Sequence, residues 1–134
     1  MQKIVIVKGC GNSFSLSTKM LTRYFELSNL SKPYFYERVC GGYGKIEEAD
    51  DYFYISLNDL GNKIIHQISD ILFSDENYFD LSSILRDDVK LIQAVEELKP
   101  EWLKIVEIPD DVKWYIFQDE DGSETIEEVH RSWF

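Results

Sequence analysis

Cysteine, histidine and basic side chains are all scarce in this sequence, and each scarcity removes a class of chemistry. The two cysteines, Cys10 and Cys40, stand far apart, each beside a glycine, and form no CxxC pair. A disulfide-stapled scaffold and a cysteine-built zinc module are thereby excluded. Both thiols are expected to be reduced and semi-buried. With only two histidines, His66 and His130, a metal centre would rest on carboxylates, and none of these has ligand-type spacing. Basic residues number 14 against 25 acidic ones, a formal net charge of −11. Such a chain repels phosphate backbones, so a nucleic-acid polymer is not an expected ligand. A small anionic ligand stays open wherever a few Arg and Lys converge. Long apolar runs are missing too. Ile4-Val5-Ile6-Val7 is too short for a signal core or a membrane span. The expectation is a cytoplasmic protein with no membrane partner.

Large apolar residues, by contrast, are plentiful. The chain is 44% hydrophobic, with eight Tyr, eight Phe and three Trp in 134 residues. Its length is that of one domain, 1–134, and a core of that size needs no cofactor or metal to stabilise it. Residues 3–8 read as a buried first strand, broken by Gly9-Cys10-Gly11-Asn12-Ser13. Leu16, Met20, Leu21, Tyr24 and Phe25 mark an amphipathic helix over 15–27, with Ser15 or Ser17 as N-cap. Strands follow at 34–39, closed by Gly41-Gly42-Tyr43-Gly44, and at 52–57. The spacing of Leu60, Ile64, Ile68, Ile71 and Leu72 predicts a helix over 59–73. A short helical turn is expected at 81–86 and a firmer helix at 88–98, burying Val89, Ile92, Val95 and Leu98 and stopped by Pro100. The rest reads as strand: 103–108, 112–117 and, after the Asp121-Gly122 turn, 124–133. The fold class is α+β, a single domain with a mixed or mostly antiparallel sheet covered by about three helices.

Candidate chemistry is thin. Gly9-Cys10-Gly11-Asn12-Ser13 sits between a strand and a helix, where backbone N–H groups can hold an anion. It lacks the third glycine of a dinucleotide fingerprint and the lysine of a P-loop, so it reads as a plain turn or as a ligand loop presenting Asn12 and Phe14. The Gly41–Gly44 run reads as a flexible connection, with Tyr43 able to stack on a base. His66 falls off the apolar face of its expected helix and should be exposed. His130 and Ser132 share one side of the last strand, Arg131 and Trp133 the other, and no GxSxG elbow accompanies them. Paired carboxylates recur along the chain, so none stands out as an acid/base couple. The expectation is a protein that binds and does not catalyse. Among only four arginines, Arg86 and Arg131 are the candidates for phosphate, although each has a simpler reading. Arg86 could pair with Asp87 or Asp88, and Arg131 with Glu127 or Glu128.

Four blocks carry a resemblance: Asn12-Ser13-Phe14-Ser15-Leu16-Ser17; Leu85-Arg86-Asp87-Asp88 with the stretch 91–98; the stretch 103–114, containing Val106-Glu107-Ile108-Pro109-Asp110-Asp111; and Glu128-Val129-His130-Arg131-Ser132-Trp133. Together they resemble a family of small proteins carried by phages and prophages. More narrowly, the chain is similar to the first described family of Thoeris anti-defence sponges. The resemblance implies a homo-oligomer that sequesters a small nucleotide-derived signal of the cyclic ADP-ribose type without cleaving it. It also implies that Asn12, Phe14, Arg86, His130 and Arg131 fill ligand-holding roles. The stretch 40–77 carries none of this likeness.

The −11 charge supports a reading of another class, an acidic interaction protein that binds and blocks a host protein, for instance in the guise of a nucleic acid. A sponge needs a cleft where basic groups converge beside an aromatic wall. A mimic needs carboxylates spread along an exposed face.

Overall fold

The computed structural model describes residues 1–9, 14–50, 52–66 and 71–129. Along the chain run β1 (Gln2–Val7), α1 (Thr18–Leu27), β2 (Tyr34–Val39), β3 (Gly42–Ile46), β4 (Tyr54–Ser56), β5 (Ile65–His66), a 3-10 turn (Leu81–Ser83), α2 (Val89–Leu98), β6 (Leu103–Ile108), β7 (Trp114–Gln118) and β8 (Glu124–Glu128). The class is α+β, and every strand pairing among the described residues is antiparallel. Among the described residues two α-helices form, where about three were expected. The chain contacts gather into two compact units, Met1–Phe14 with Ile84–Phe134, and Ser15–Ser83. No helix among the described residues is long and apolar enough to cross a membrane.

In the first unit β1 lies against β6, from Gln2 opposite Ile108 to Val7 opposite Leu103. Ile4, Val5, Ile6 and Val7 are all buried. Because a strand alternates its side chains, four consecutive buried residues mean that both faces are covered. α2 packs against β1 and β6. It starts at Asp88, whose carboxylate accepts the Lys90 N–H (2.8 Å), and stops at Lys99, which turns left-handed (φ 47°) ahead of Pro100. Its buried stripe is Leu91, Ile92, Ala94 and Val95. Val89, expected on that stripe, is 76% exposed. It sits two residues before Leu91, roughly 200° round the helix. β7 and β8 form a hairpin in which Trp114 faces Glu128 and Gln118 faces Glu124. Gln2 ties β1 to the turn before β7, donating to the carbonyls of Pro109 and Val112 (both 2.9 Å) and accepting from the Trp114 indole (3.1 Å).

In the second unit the strand order is β4-β2-β3-β5. The glycine run expected as a flexible connection is instead β3, hairpinned onto β2 through Cys40 and Gly41, the latter at φ +86°. Cys40 lies at that turn and is exposed, not semi-buried; Cys10 is outside the described residues. The expected helix over 59–73 does not form among its described residues. Gly61 takes φ +92°, Ile65 and His66 pair with Tyr43 and Gly42, and Ile65 and Leu72 enter a core with Tyr36 and Tyr43. An open edge of β3 offers hydrogen bonds that a helix could not use, and tertiary context overrides the helical spacing. The Tyr36 hydroxyl pins this segment, accepting the Leu60 N–H (2.9 Å) and donating to the Gly61 carbonyl (3.3 Å). β4 is shorter than the expected 52–57 strand, because Tyr52 is left-handed (φ 58°) and cannot extend it. α1 is capped by Ser17, whose hydroxyl accepts the Met20 N–H (3.3 Å), and buries Met20, Leu21 and Phe25. Thr18 and Ala49 exchange two hydrogen bonds that fix its start (3.0 and 3.1 Å).

Candidate functional site

Arg86 is the best-defined polar centre among the described residues. It follows the 3-10 turn and precedes α2, and its backbone carbonyl accepts the Val5 N–H (2.8 Å). Its guanidinium meets neither Asp87 nor Asp88. It grips Glu124 with both tines, Nη1 to Oε1 at 2.7 Å and Nη2 to Oε2 at 3.0 Å. Nη1 also donates to the Val5 carbonyl (3.2 Å), and Glu124 Oε1 accepts the Val7 N–H (2.8 Å). The pair thus satisfies the edge of β1 that β6 leaves open, in the place where another strand would lie. The Phe14 ring lies under the guanidinium, 3.9 Å from carbon to centroid. Burial pushes the Glu124 carboxyl up, but the Arg86 hydrogen bonds, the Val7 N–H and the Arg86 charge outweigh it and hold it below its ordinary 4.5. Phe14 and Arg86, two of the expected ligand residues, are brought together, with the donors of the fork turned to Glu124.

Tyr43 lies in the other unit and is buried. Its ring packs edge-on against Tyr54 (5.3 Å) and Phe73 (5.5 Å) and adds to the core around Tyr36. Asn12, His130 and Arg131 fall outside the described residues. His66 is exposed, as expected, although on β5. Among the described residues no group of histidine, cysteine and carboxylate side chains could hold a metal ion.

In the first unit two features escaped the sequence reading. One is a pair of adjoining open depressions of about 460 and 430 Å³ in the first unit that share Lys8 and Glu101. Gly9 and Trp102 line one, Lys99 and Glu96 the other. Two lysines, an indole and two glutamates line the pair, Glu96 lying 3.5 Å from the Lys3 ammonium. The other is the β7–β8 hairpin. Eight of the nine charged side chains from Asp110 to Glu128 are carboxylates. Glu124 is taken by Arg86 and Asp110 by the N-terminal ammonium (3.1 Å). Asp111, Asp119, Glu120, Asp121, Glu127 and Glu128 are exposed and in no ion pair among the described residues. On the same hairpin Tyr115 and Phe117, 49% and 51% exposed, share one face, with Glu127 directly opposite Tyr115. Its turn is fixed by Asp119, whose carboxylate accepts the Asp121 N–H (3.0 Å), and by Gly122 at φ +91°.

The chain matches no protein-family model, no curated protein and no solved structure.

Proposed function

We propose that this protein acts by binding and blocking a basic protein surface, the β7–β8 hairpin taking the place that nucleic acid would occupy. The carrying observation is the hairpin's composition: five exposed carboxylates outside any described ion pair, with Asp111 just before it, beside two half-exposed aromatic rings. Carboxylates on same-face and cross-strand neighbours are spaced about 5–7 Å apart, close enough to sum their fields over one basic patch. Tyr115 and Phe117 supply the apolar contact that interfaces favour at their centres. The resemblance to counter-defence proteins supports a host protein with a basic face as the partner.

The test is displacement. Purified protein is titrated into labelled duplex DNA bound by a panel of basic host proteins, with release followed by fluorescence anisotropy. Release is expected at low salt and should weaken steeply between about 50 and 200 mM. It should be lost in the variant carrying D119N, E120Q, D121N, E127Q and E128Q. No release by the unaltered chain at any salt would sink the reading.

A second reading, sequestration of a small nucleotide-derived signal, is favoured by the Lys8–Gly9–Trp102 depression with Lys99 alongside. Its volume is in the range of small-molecule sites, about 300–1,000 Å³. Here the measurement is thermal melting against cyclic ADP-ribose isomers, cyclic di- and trinucleotides, NAD and ADP-ribose. A ligand at a hundred times its Kd stabilises the fold by about 2.7 kcal/mol. A rise in Tm with one of them, abolished by K8A with K99A, supports this reading; no rise with any of them removes it.

A further inference from the structure

The second unit holds a half-open cavity whose chemistry neither reading above uses. Its volume is about 140 Å³, close to the roughly 150 Å³ that accommodates a benzene-sized guest. Tyr52, Phe53, Tyr54, Tyr78 and Phe79 line the cavity, and Asp80 is the only charged lining residue among the described residues. Leu16 and Ile55 are apolar lining residues, and among the described residues no lysine, arginine or histidine lines it.

Four of the five rings are braced by other rings. Phe53 stands edge-on against Phe35 (5.3 Å) and Phe79 against Phe25 (5.2 Å). Tyr54 and Tyr78 both lean on Phe73 (5.3 and 5.4 Å). Such bracing fixes the rings before anything binds, which removes most of the ordering cost. The fifth ring, Tyr52, is different. It is 89% exposed on a residue held at φ 58°, a conformation that non-glycine residues rarely adopt. That backbone sets an exposed tyrosine at the cavity's edge.

We propose that this cavity is a binding site for a small organic cation, a quaternary or alkylated ammonium head group, enclosed by the tyrosine and phenylalanine rings and countered by the Asp80 carboxylate. The ring faces carry the negative end of the aromatic quadrupole, and a weakly hydrated ammonium is the cation most readily moved among them. An anion finds no donor cluster there, and a neutral apolar guest gains nothing from Asp80. The Ser82 hydroxyl and amide hold Asp80 below its ordinary 3.8, so it is charged at neutral pH. Burial, then the Asp80 and Tyr54 charges, push the Tyr78 phenol above 10.0, so it stays a neutral ring.

The experiment uses the intact chain, labelled for two-dimensional NMR, titrated with choline and in parallel with 3,3-dimethylbutan-1-ol, its neutral isostere. Saturable shifts confined to residues 52–55 and 78–81 are expected with choline, with a Kd on the order of 0.1–10 mM. The neutral isostere should bind at least about fivefold more weakly. Asp80→Asn keeps the oxygen that accepts the Ser82 N–H and should weaken choline about tenfold. Tyr52→Ala, at an exposed position whose loss leaves the core intact, should weaken it about threefold or more. A tetrapeptide bearing trimethyllysine, compared with free choline, tells whether the head group is taken from a small molecule or from a protein side chain. No saturable binding of choline, or equal binding of its isostere, overturns the proposal.

Discussion

At the scale of single residues, the fork of Arg86 on Glu124 organises the first unit. The Arg86 side chain is 20% exposed, so leaving it without its partner strands a largely desolvated cation. Glu124→Gln is expected to cost about 2–4 kcal/mol, which thermal melting should register as a fall in Tm on the order of 10 °C. The same carboxyl predicts a pH dependence. Its folded-state pKa lies below the ordinary 4.5, so the unfolded chain holds the proton more tightly. The stabilisation is therefore complete above about pH 4.5 and is lost as pH falls through the lowered value. Acid unfolding followed by circular dichroism should show this loss in the unaltered chain and a shallower one in E124Q. In the second unit, Tyr36→Phe leaves the Leu60 N–H without its acceptor. The expected cost is about 1–2 kcal/mol, with faster hydrogen exchange at Leu60. A change in stability without faster exchange there would show that the hydroxyl does not pin the loop.

At the scale of elements, what was legible was whatever the local pattern settles. The cap at Ser17, the helix starting at 88, the strands β1, β2 and β6 and the β7–β8 turn all follow from signals within a few residues. The segment after Asn58 was misread because its apolar spacing suits a helix as well as two buried anchors, Ile65 and Leu72. The glycine run was misread for a related reason. Gly42 lacks a side chain not to make a loop flexible but to let β5 approach, since a Cβ there would overlap the Ile65 carbonyl. Gly42→Ala should therefore detach β5 while leaving the β2–β3 hairpin paired. Amide exchange at Tyr43, Ile65 and His66 checks this; unchanged protection would mean that the strands can shift to accept a methyl.

At the scale of the whole molecule, charge sets the terms of association. A formal charge of −11 makes any contact with a basic partner fast and salt-sensitive, and any contact with phosphate slow unless lysines converge. Neutralising the five hairpin carboxylates should lower the association rate with a basic partner by about tenfold at low salt and change little at 1 M, by stopped-flow fluorescence. Equal losses at both salts would place the effect in packing, not steering.

The sequence by itself determined the α+β class, the antiparallel tendency, most strand and helix positions and the excess of negative charge, because periodicity, capping and composition act locally or additively. It also named Arg86 and Phe14. Only the tertiary structure decided what they do: Arg86 finds Glu124, 38 positions away, while two adjacent aspartates go unused. A guanidinium fork needs a carboxylate at a fixed distance and angle, and the strand edge that positions both groups exists only after β1 has paired with β6. The aromatic cavity was illegible for the same reason. Tyr52–Tyr54 and Tyr78–Phe79 are separated by more than twenty residues, and their rings become neighbours only when β4 is laid beside the Tyr78 bridge.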